Sequence, residues 1–308
     1  MAEPIAPLPD APGWFRRALA VPFDDGDVTV DGATVHYLSW GKPDRRGLVF
    51  VHGGGAHAHW WTHVAATFAS DFRVVALDLT GHGDSDHRET YALEQWTDEV
   101  ATVAGAGRIA GPPVIVGHSM GGFVTIATAA LHADEFAGVV VCDSPVTQPD
   151  PEVEAHRLKE AFGRPRTYTS IEDALTRFRT VPAQAHYLDY VIDHVGRRSL
   201  RPVEGGWQWK FDRRIFEQFS SSMRGIALPY LHRVRSRFAL LRSEYGLVTS
   251  DISASMYEAL GRVAPVVELP EAGHHPMLDT PLLLLTALRT LLADWDHSQP
   301  LRPKTDDR

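Results

Sequence analysis

Four short apolar runs, residues 47–51, 73–79, 113–116 and 138–142, recur through the first half of the chain with helix-patterned segments between them. A run of this length without a polar face must, as a strand, be covered on both sides. Such strands alternating with helices build a parallel sheet with helices packed on its two faces. Two further runs, 238–241 and 265–269, resume the pattern after a long interval. Helices are expected over 60–70, 93–104, 120–132, 253–263 and 282–295. The polar, proline-containing ends, roughly residues 1–25 and 296–308, read as tails or surface wraps.

The interval 146–234 is charged, aromatic and helix-patterned, with no convincing buried strand. Structureless connections beyond about 15 residues are rare in compact proteins, so this stretch is expected to be a helical cap. Residues 1–145 and 235–308 are then the two parts of one α/β core. Ligands of open parallel sheets bind beyond the carboxyl ends of the strands, where the cap would roof them.

Composition narrows the partners. Of 308 residues 44% are hydrophobic, and no run approaches the roughly 18 consecutive apolar residues of a membrane span. The net charge of −9 repels a phosphate backbone, and the pairs Arg197-Arg198 and Arg213-Arg214 are too short for a nucleic-acid stripe. Cys142 is the only cysteine; its apolar neighbours suggest a buried structural thiol, and a reducing compartment is expected. Met1-Ala2-Glu3-Pro4 lacks the basic start and apolar stretch of a secretory signal. The expectation is a cytoplasmic monomer or homodimer, acting on a small molecule, with no nucleic-acid or membrane partner.

The chemistry concentrates where the 113–116 run enters Gly117-His118-Ser119-Met120-Gly121-Gly122 and a helix of small residues follows. This is G-x-S-x-G in a strand–turn–helix setting, where glycines on either side let a tight turn expose the serine oxygen. The helix N-terminus points its positive end at that oxygen. Acyl transfer also needs donors for an oxyanion. One is expected from the backbone N–H of Met120. The second is expected from Gly54, in the His52-Gly53-Gly54-Gly55 loop after the first apolar run.

The segments HGGG at 52–55, DLTGHGDS at 78–85, GHSMGG at 117–122 and PEAGHHPMLDTP at 270–281 resemble the α/β-hydrolase superfamily, and the resemblance runs from Val35 to Trp295. It implies an eight-stranded, mostly parallel sheet flanked by helices, a cap after the sixth strand, and no cofactor. A serine at the elbow argues against the dehalogenase and epoxide-hydrolase branches, which use aspartate. In family patterns the histidine directly after the late glycine is the base, which selects His274, with His275 its competitor. Asp279 follows the base and is out of order for the triad acid.

The family's usual acid stands in the loop after the seventh strand, but Leu241-Arg242-Ser243-Glu244-Tyr245-Gly246 puts Gly246 at that place. Some branches, certain lactonases among them, take the acid from the end of strand six. Here that residue is Asp143, 24 positions after Ser119. Neighbouring strands lie about 4.8 Å apart, so an acid there can reach an imidazole poised over Ser119. Asp143 is the choice, with Glu244 and then Asp251 as alternatives.

His57, His59 and His63 suggest a metal site but lack a carboxylate or cysteine partner at ligand spacing, so no metal is expected. Trp60, beside Trp61, and the alternating pair Trp207 and Trp209 are candidate substrate contacts, with core packing as the competing role. The reading is a serine hydrolase that cleaves a carboxylic ester or lactone through an acyl-enzyme. The cap composition suggests a small to medium, partly apolar substrate. Two rivals stand beside it: a C–C bond hydrolase of the meta-cleavage-product type, and a non-catalytic ligand-binding relative.

Overall fold

The computed structural model describes residues 6–147, 166–218 and 223–298. Eight strands form one sheet in the order β1-β2-β4-β3-β5-β6-β9-β10, where β1 is Phe23–Val30, β2 Ala33–Trp40, β3 Gly47–Val51, β4 Arg73–Leu77, β5 Val114–His118, β6 Gly138–Cys142, β9 Arg237–Tyr245 and β10 Val266–Gly273. Only β2 pairs antiparallel to its neighbours, β1 and β4; every other pairing is parallel. The expected eight-stranded, mostly parallel sheet is therefore present.

Each central strand divides its side chains between two cores, as the two-residue period of a strand demands. Leu48, Phe50, Val140, Cys142 and Leu241 pack into one layer, while Val49, Val51, Val139, Val141 and Leu240 pack into the other. The first layer is closed by helices α1 (Gly13–Leu19), α2 (Thr62–Ala65), α6 (Asp189–Arg198), α10 (Pro276–Asp279) and α11 (Pro281–His297). The second is closed by α3 (Leu93–Ala106), α4 (Met120–Leu131), α8 (Met223–Leu231) and α9 (Ser250–Ala259). Cys142 is free and buried in the first layer. No helix among the described residues is long and apolar enough to cross a membrane.

Three expectations need correction. Of the expected tail at 1–25, residues 1–5 lie outside the described residues, and the rest is not merely a tail: α1 buries Phe15 completely against Tyr190 and His194, and β1 starts at Phe23. Residues 60–70 are a short α-helix between two 3₁₀ turns, not one helix. The interval 146–234 is not wholly helical. Residues 148–165 and 219–222 of it lie outside the described residues. The remainder holds α5 (Ile171–Leu175), α6, α7 (Arg214–Gln218) and α8, together with an antiparallel ribbon of β7 (Leu200–Val203) and β8 (Gly206–Trp209).

The ribbon's exit is tied to the sheet domain by backbone bonds from Gly83 N–H to the Lys210 carbonyl (2.8 Å) and from Asp212 N–H to the Gly81 carbonyl (2.7 Å). The DLTGHGDS segment thus anchors the insertion. Its first residue, Asp78, accepts the Ala58 and Asp84 N–H groups and an imidazole N–H of His36.

Candidate active site

Ser119 stands between β5 and α4 at φ 54° and ψ −118°, a left-handed conformation that a non-glycine residue holds only when its surroundings force it. The forcing is visible. A methyl on Gly117 would stand 2.2 Å from Thr125 Oγ1, and one on Gly121 would stand 2.3 Å from the His52 carbonyl oxygen. Only glycines let the turn close this tightly. Ser119 N–H is fixed by the Cys142 carbonyl (3.1 Å) on the neighbouring strand.

His274 follows β10 and meets this serine: Nε2 lies 2.9 Å from Ser119 Oγ, and Nδ1 lies 2.7 Å from Asp143 Oδ2. Asp143, one residue past β6, is fully buried, also at positive φ. Its carboxylate accepts the backbone N–H groups of Leu247 (2.7 Å), Val248 (3.2 Å) and Ser243 (3.3 Å). Burial alone would raise its pKa, but the bonds from His274 and from the Leu247 and Val248 amides outweigh that and hold it below the usual carboxylate range.

Gly246, the position the usual acid would fill, faces the same carboxylate. A methyl there would stand 2.3 Å from Asp143 Oδ2. The Asp143 carboxylate, carried at the end of β6, occupies the space beside Gly246 into which a side chain on that position would project. Glu244 is exposed and accepts the Glu271 N–H (2.9 Å) instead, and Asp251 is exposed in the first turn of α9. Neither reaches His274.

The loop carrying the histidine is held by groups to which the sequence reading gave no such role. Asp279 accepts the Gly273 N–H (2.6 Å) and a Gln184 amide N–H (2.8 Å), while Gln184 Oε1 accepts the His275 N–H (2.9 Å). His118 donates from Nε2 to the His274 carbonyl (2.7 Å). Burial, helped by the nearby His274, lowers the His118 pKa to about 3, so it is a neutral donor at physiological pH. The histidine in G-H-S-x-G was the available signal. The backbone amides that hold Asp143 leave no mark in a sequence.

Of the expected oxyanion donors, Met120 opens α4 directly after Ser119. Gly53 backs onto the serine, since a methyl on it would stand 3.2 Å from Ser119 Cβ. Gly54 lines the adjoining cavity beside Phe216 and the Met120 sulfur. That cavity, of about 680 Å³, touches the site at Gly54, Gly55 and His275 and extends under the insertion. Trp60 and Trp209 line it, bridged by Phe178, whose ring lies 6.2 and 5.6 Å from theirs. Trp207 is not among the lining residues and packs with Tyr168, Ala174 and Leu200. His275 lies buried on the wall, and burial holds it neutral.

His57, His59 and His63 do not converge. His57 Nε2 bonds Ser199 Oγ (2.8 Å), His59 Nδ1 bonds Thr62 Oγ1 (3.1 Å), and His63 Nε2 donates to the Met277 carbonyl (2.7 Å). Two other groups, His118 with His274 and His275, and His36 with Asp78 and Asp84, do bring ligand-type atoms together. In both, the ring nitrogens of His274 and of His36 are already taken by hydrogen bonds.

Comparison with known proteins follows the same outline. Residues 48–287 match the profile of the Alpha/beta hydrolase family. The chain is 27% identical over 274 residues to esterase Rv0045c of Mycobacterium tuberculosis, covering 85% of this chain and 88% of that one. It is 23% identical to the 2-(acetamidomethylene)succinate hydrolase of Mesorhizobium japonicum, covering 80% and 87%. The crystal structure of E-2-(acetamidomethylene)succinate hydrolase superposes with a TM-score of 0.76 at 22% identity, covering 88% of this chain and all of that one. With the profile spanning most of the chain, this protein is a hydrolase that belongs to the alpha/beta hydrolase family.

Proposed function

We propose that the protein hydrolyses a carboxylic ester or lactone through an acyl-enzyme, with Ser119 as nucleophile, His274 as base and Asp143 as the orienting acid. The observation that carries this is the unbroken line from Ser119 Oγ through both nitrogens of His274 to Asp143, with the serine held in a strained turn. Asp143 keeps a proton on Nδ1, so Nε2 offers its lone pair to the serine hydroxyl. As Oγ bonds the carbonyl carbon, Nε2 takes the hydroxyl proton, and the carbonyl oxygen becomes an oxyanion received by backbone N–H groups of Met120 and Gly54. Collapse breaks the bond to the alkoxy oxygen, which leaves with the proton from Nε2. Water then attacks the acyl-enzyme, giving its proton to the same nitrogen, and Ser119 recovers it as the acid departs. In a lactone the leaving hydroxyl stays attached to the product acid.

Kinship with an esterase supports ester chemistry, and Trp60 and Trp209 on the cavity wall supply the apolar contacts a substrate chain needs. A fluorophosphonate probe should label Ser119, as mapped by mass spectrometry, while a panel of short-chain, aryl and lactone substrates is turned over. Labelling that persists undiminished in Ser119→Ala, or a panel left wholly unhydrolysed, would overturn the proposal.

A further inference from the structure

The cavity that meets the site at Gly54, Gly55 and His275 reverses the charge of the chain around it. The whole protein carries −9, yet the described residues of the cavity wall include six cationic side chains, Arg166, Arg177, Arg179, Arg201, Lys210 and Arg213, against one carboxylate, Asp212. That carboxylate is engaged elsewhere: it pairs with Arg214 (2.7 Å) and accepts the Tyr91 hydroxyl (2.7 Å). Lys210 is paired with Asp84 (2.6 Å). Arg201 and Arg213 have no carboxylate partner among the described residues, and the Nε of each is buried without a hydrogen-bond acceptor there.

Their placement is built rather than incidental. Arg201 lies on β7 opposite Gln208, another cavity residue, and Arg213 follows the backbone bonds that pin the ribbon's exit to the Gly81–Gly83 turn. Half-buried guanidinium groups without counter-charges are costly, and a planar, multi-oxygen anion is the partner that fits their donor geometry. A cleft lined by one sign of charge also concentrates ligands of the other sign.

We propose that the substrate carries an anionic group, a carboxylate or phosphate, in the part that fills this cavity, and that Arg201 and Arg213 bind it. This rests on the assignment of Ser119 as the nucleophile of an ester hydrolase. It also revises the partly apolar substrate inferred from composition: Trp60 and Trp209 flank a cavity whose wall is cationic.

The test pairs substrates that differ only in charge: mono-p-nitrophenyl glutarate against its methyl ester, and p-nitrophenyl 4-phosphonobutyrate against its dimethyl ester. At low salt at least one anionic ester should exceed its neutral twin in kcat/KM by about tenfold or more, and which one does so separates carboxylate from phosphate recognition. The advantage should shrink between about 10 and about 300 mM salt in the wild-type enzyme. Arg201→Gln and Arg213→Gln should each cut the anionic-to-neutral ratio about fivefold or more, while Arg235→Gln, exposed and not among the cavity's lining residues, should not change it. Calorimetry of glutarate and of inorganic phosphate with Ser119→Ala reads the site without turnover. Hydrolysis with no preference for either anion, indifferent to salt and to both substitutions, overturns the anion site and leaves the ester chemistry standing. Anion binding lost in Arg201→Gln, with every ester left intact, overturns the ester chemistry and keeps the site.

Discussion

A side chain at position 246 would contend with the Asp143 carboxylate for one volume, and it is Asp143 that bonds His274 Nδ1. Because the carboxylate bonds His274 Nδ1 and three backbone amides, an amide in its place would keep the shape and favour the wrong imidazole tautomer. Asp143→Asn is expected to lower kcat by about 10³–10⁴, whereas Glu244→Gln should cost less than about tenfold, measured on variants whose circular dichroism and melting show them folded. A folded Glu244→Gln that is dead beside a near-normal Asp143→Asn would return the acid to β9. Gly246→Ala supplies an independent check. Its methyl would displace the Asp143 carboxylate, and a misplacement on the order of 1 Å should cost about 10²-fold in kcat with far less change in KM. Full activity in Gly246→Ala would mean that the carboxylate need not stand where it does.

At the scale of elements, the N-terminal segment matters more than its polar composition suggests. Helix α1 is short and begins after Pro12 with no side-chain cap, so its own hydrogen bonding cannot hold it. What holds it is Phe15, fully buried, with ring centroids 4.9 Å from Tyr190 and 5.5 Å from His63. Phe15→Ala is expected to lower unfolding stability by roughly 3–5 kcal/mol, read from the midpoint of urea denaturation. A shift under about 1 kcal/mol would show α1 to be a loosely attached wrap. The adjacent β1–β2 hairpin carried a local signal that the reading of buried runs passed over. Asp31-Gly32, both at positive φ, form a two-residue turn between alternating segments, and such a dipeptide is the strongest short-range mark of a hairpin. The β7–β8 ribbon escaped for another reason: most of its residues are only half buried, so it never produced an apolar run.

Across the whole molecule, His36 on β2 ties the β1–β2 hairpin to the anchoring loop, donating from both ring nitrogens to Asp78 on that loop and to Asp25 on β1. Burial opposes the charged imidazole, but these two carboxylates outweigh it and raise the pKa from 6.5 to about 9. Because the folded value lies above the unfolded one, the stabilisation is complete below about pH 6.5 and is lost as pH rises through 9. Unfolding stability should therefore fall by on the order of 3 kcal/mol across that window, and His36→Asn should flatten the fall. A wild-type profile level between those limits would refute the assignment. Some of this architecture was legible beforehand because it is local. A strand buried on both faces must be apolar throughout, so the runs at 47–51 and 138–142 mark β3 and β6 to the residue, and a strained elbow needs its glycines beside the serine. Ser119, His274 and Asp143 could be chosen because strand ends and motif order limit where such groups stand. That the carboxylate fills the space at Gly246, that Gln184 and Asp279 hold the histidine loop, and that cationic side chains from residues 166 to 213 gather around one cavity were decided by the tertiary structure. Those relations depend on distances between segments that the chain brings together only by packing, and no local pattern encodes such a distance.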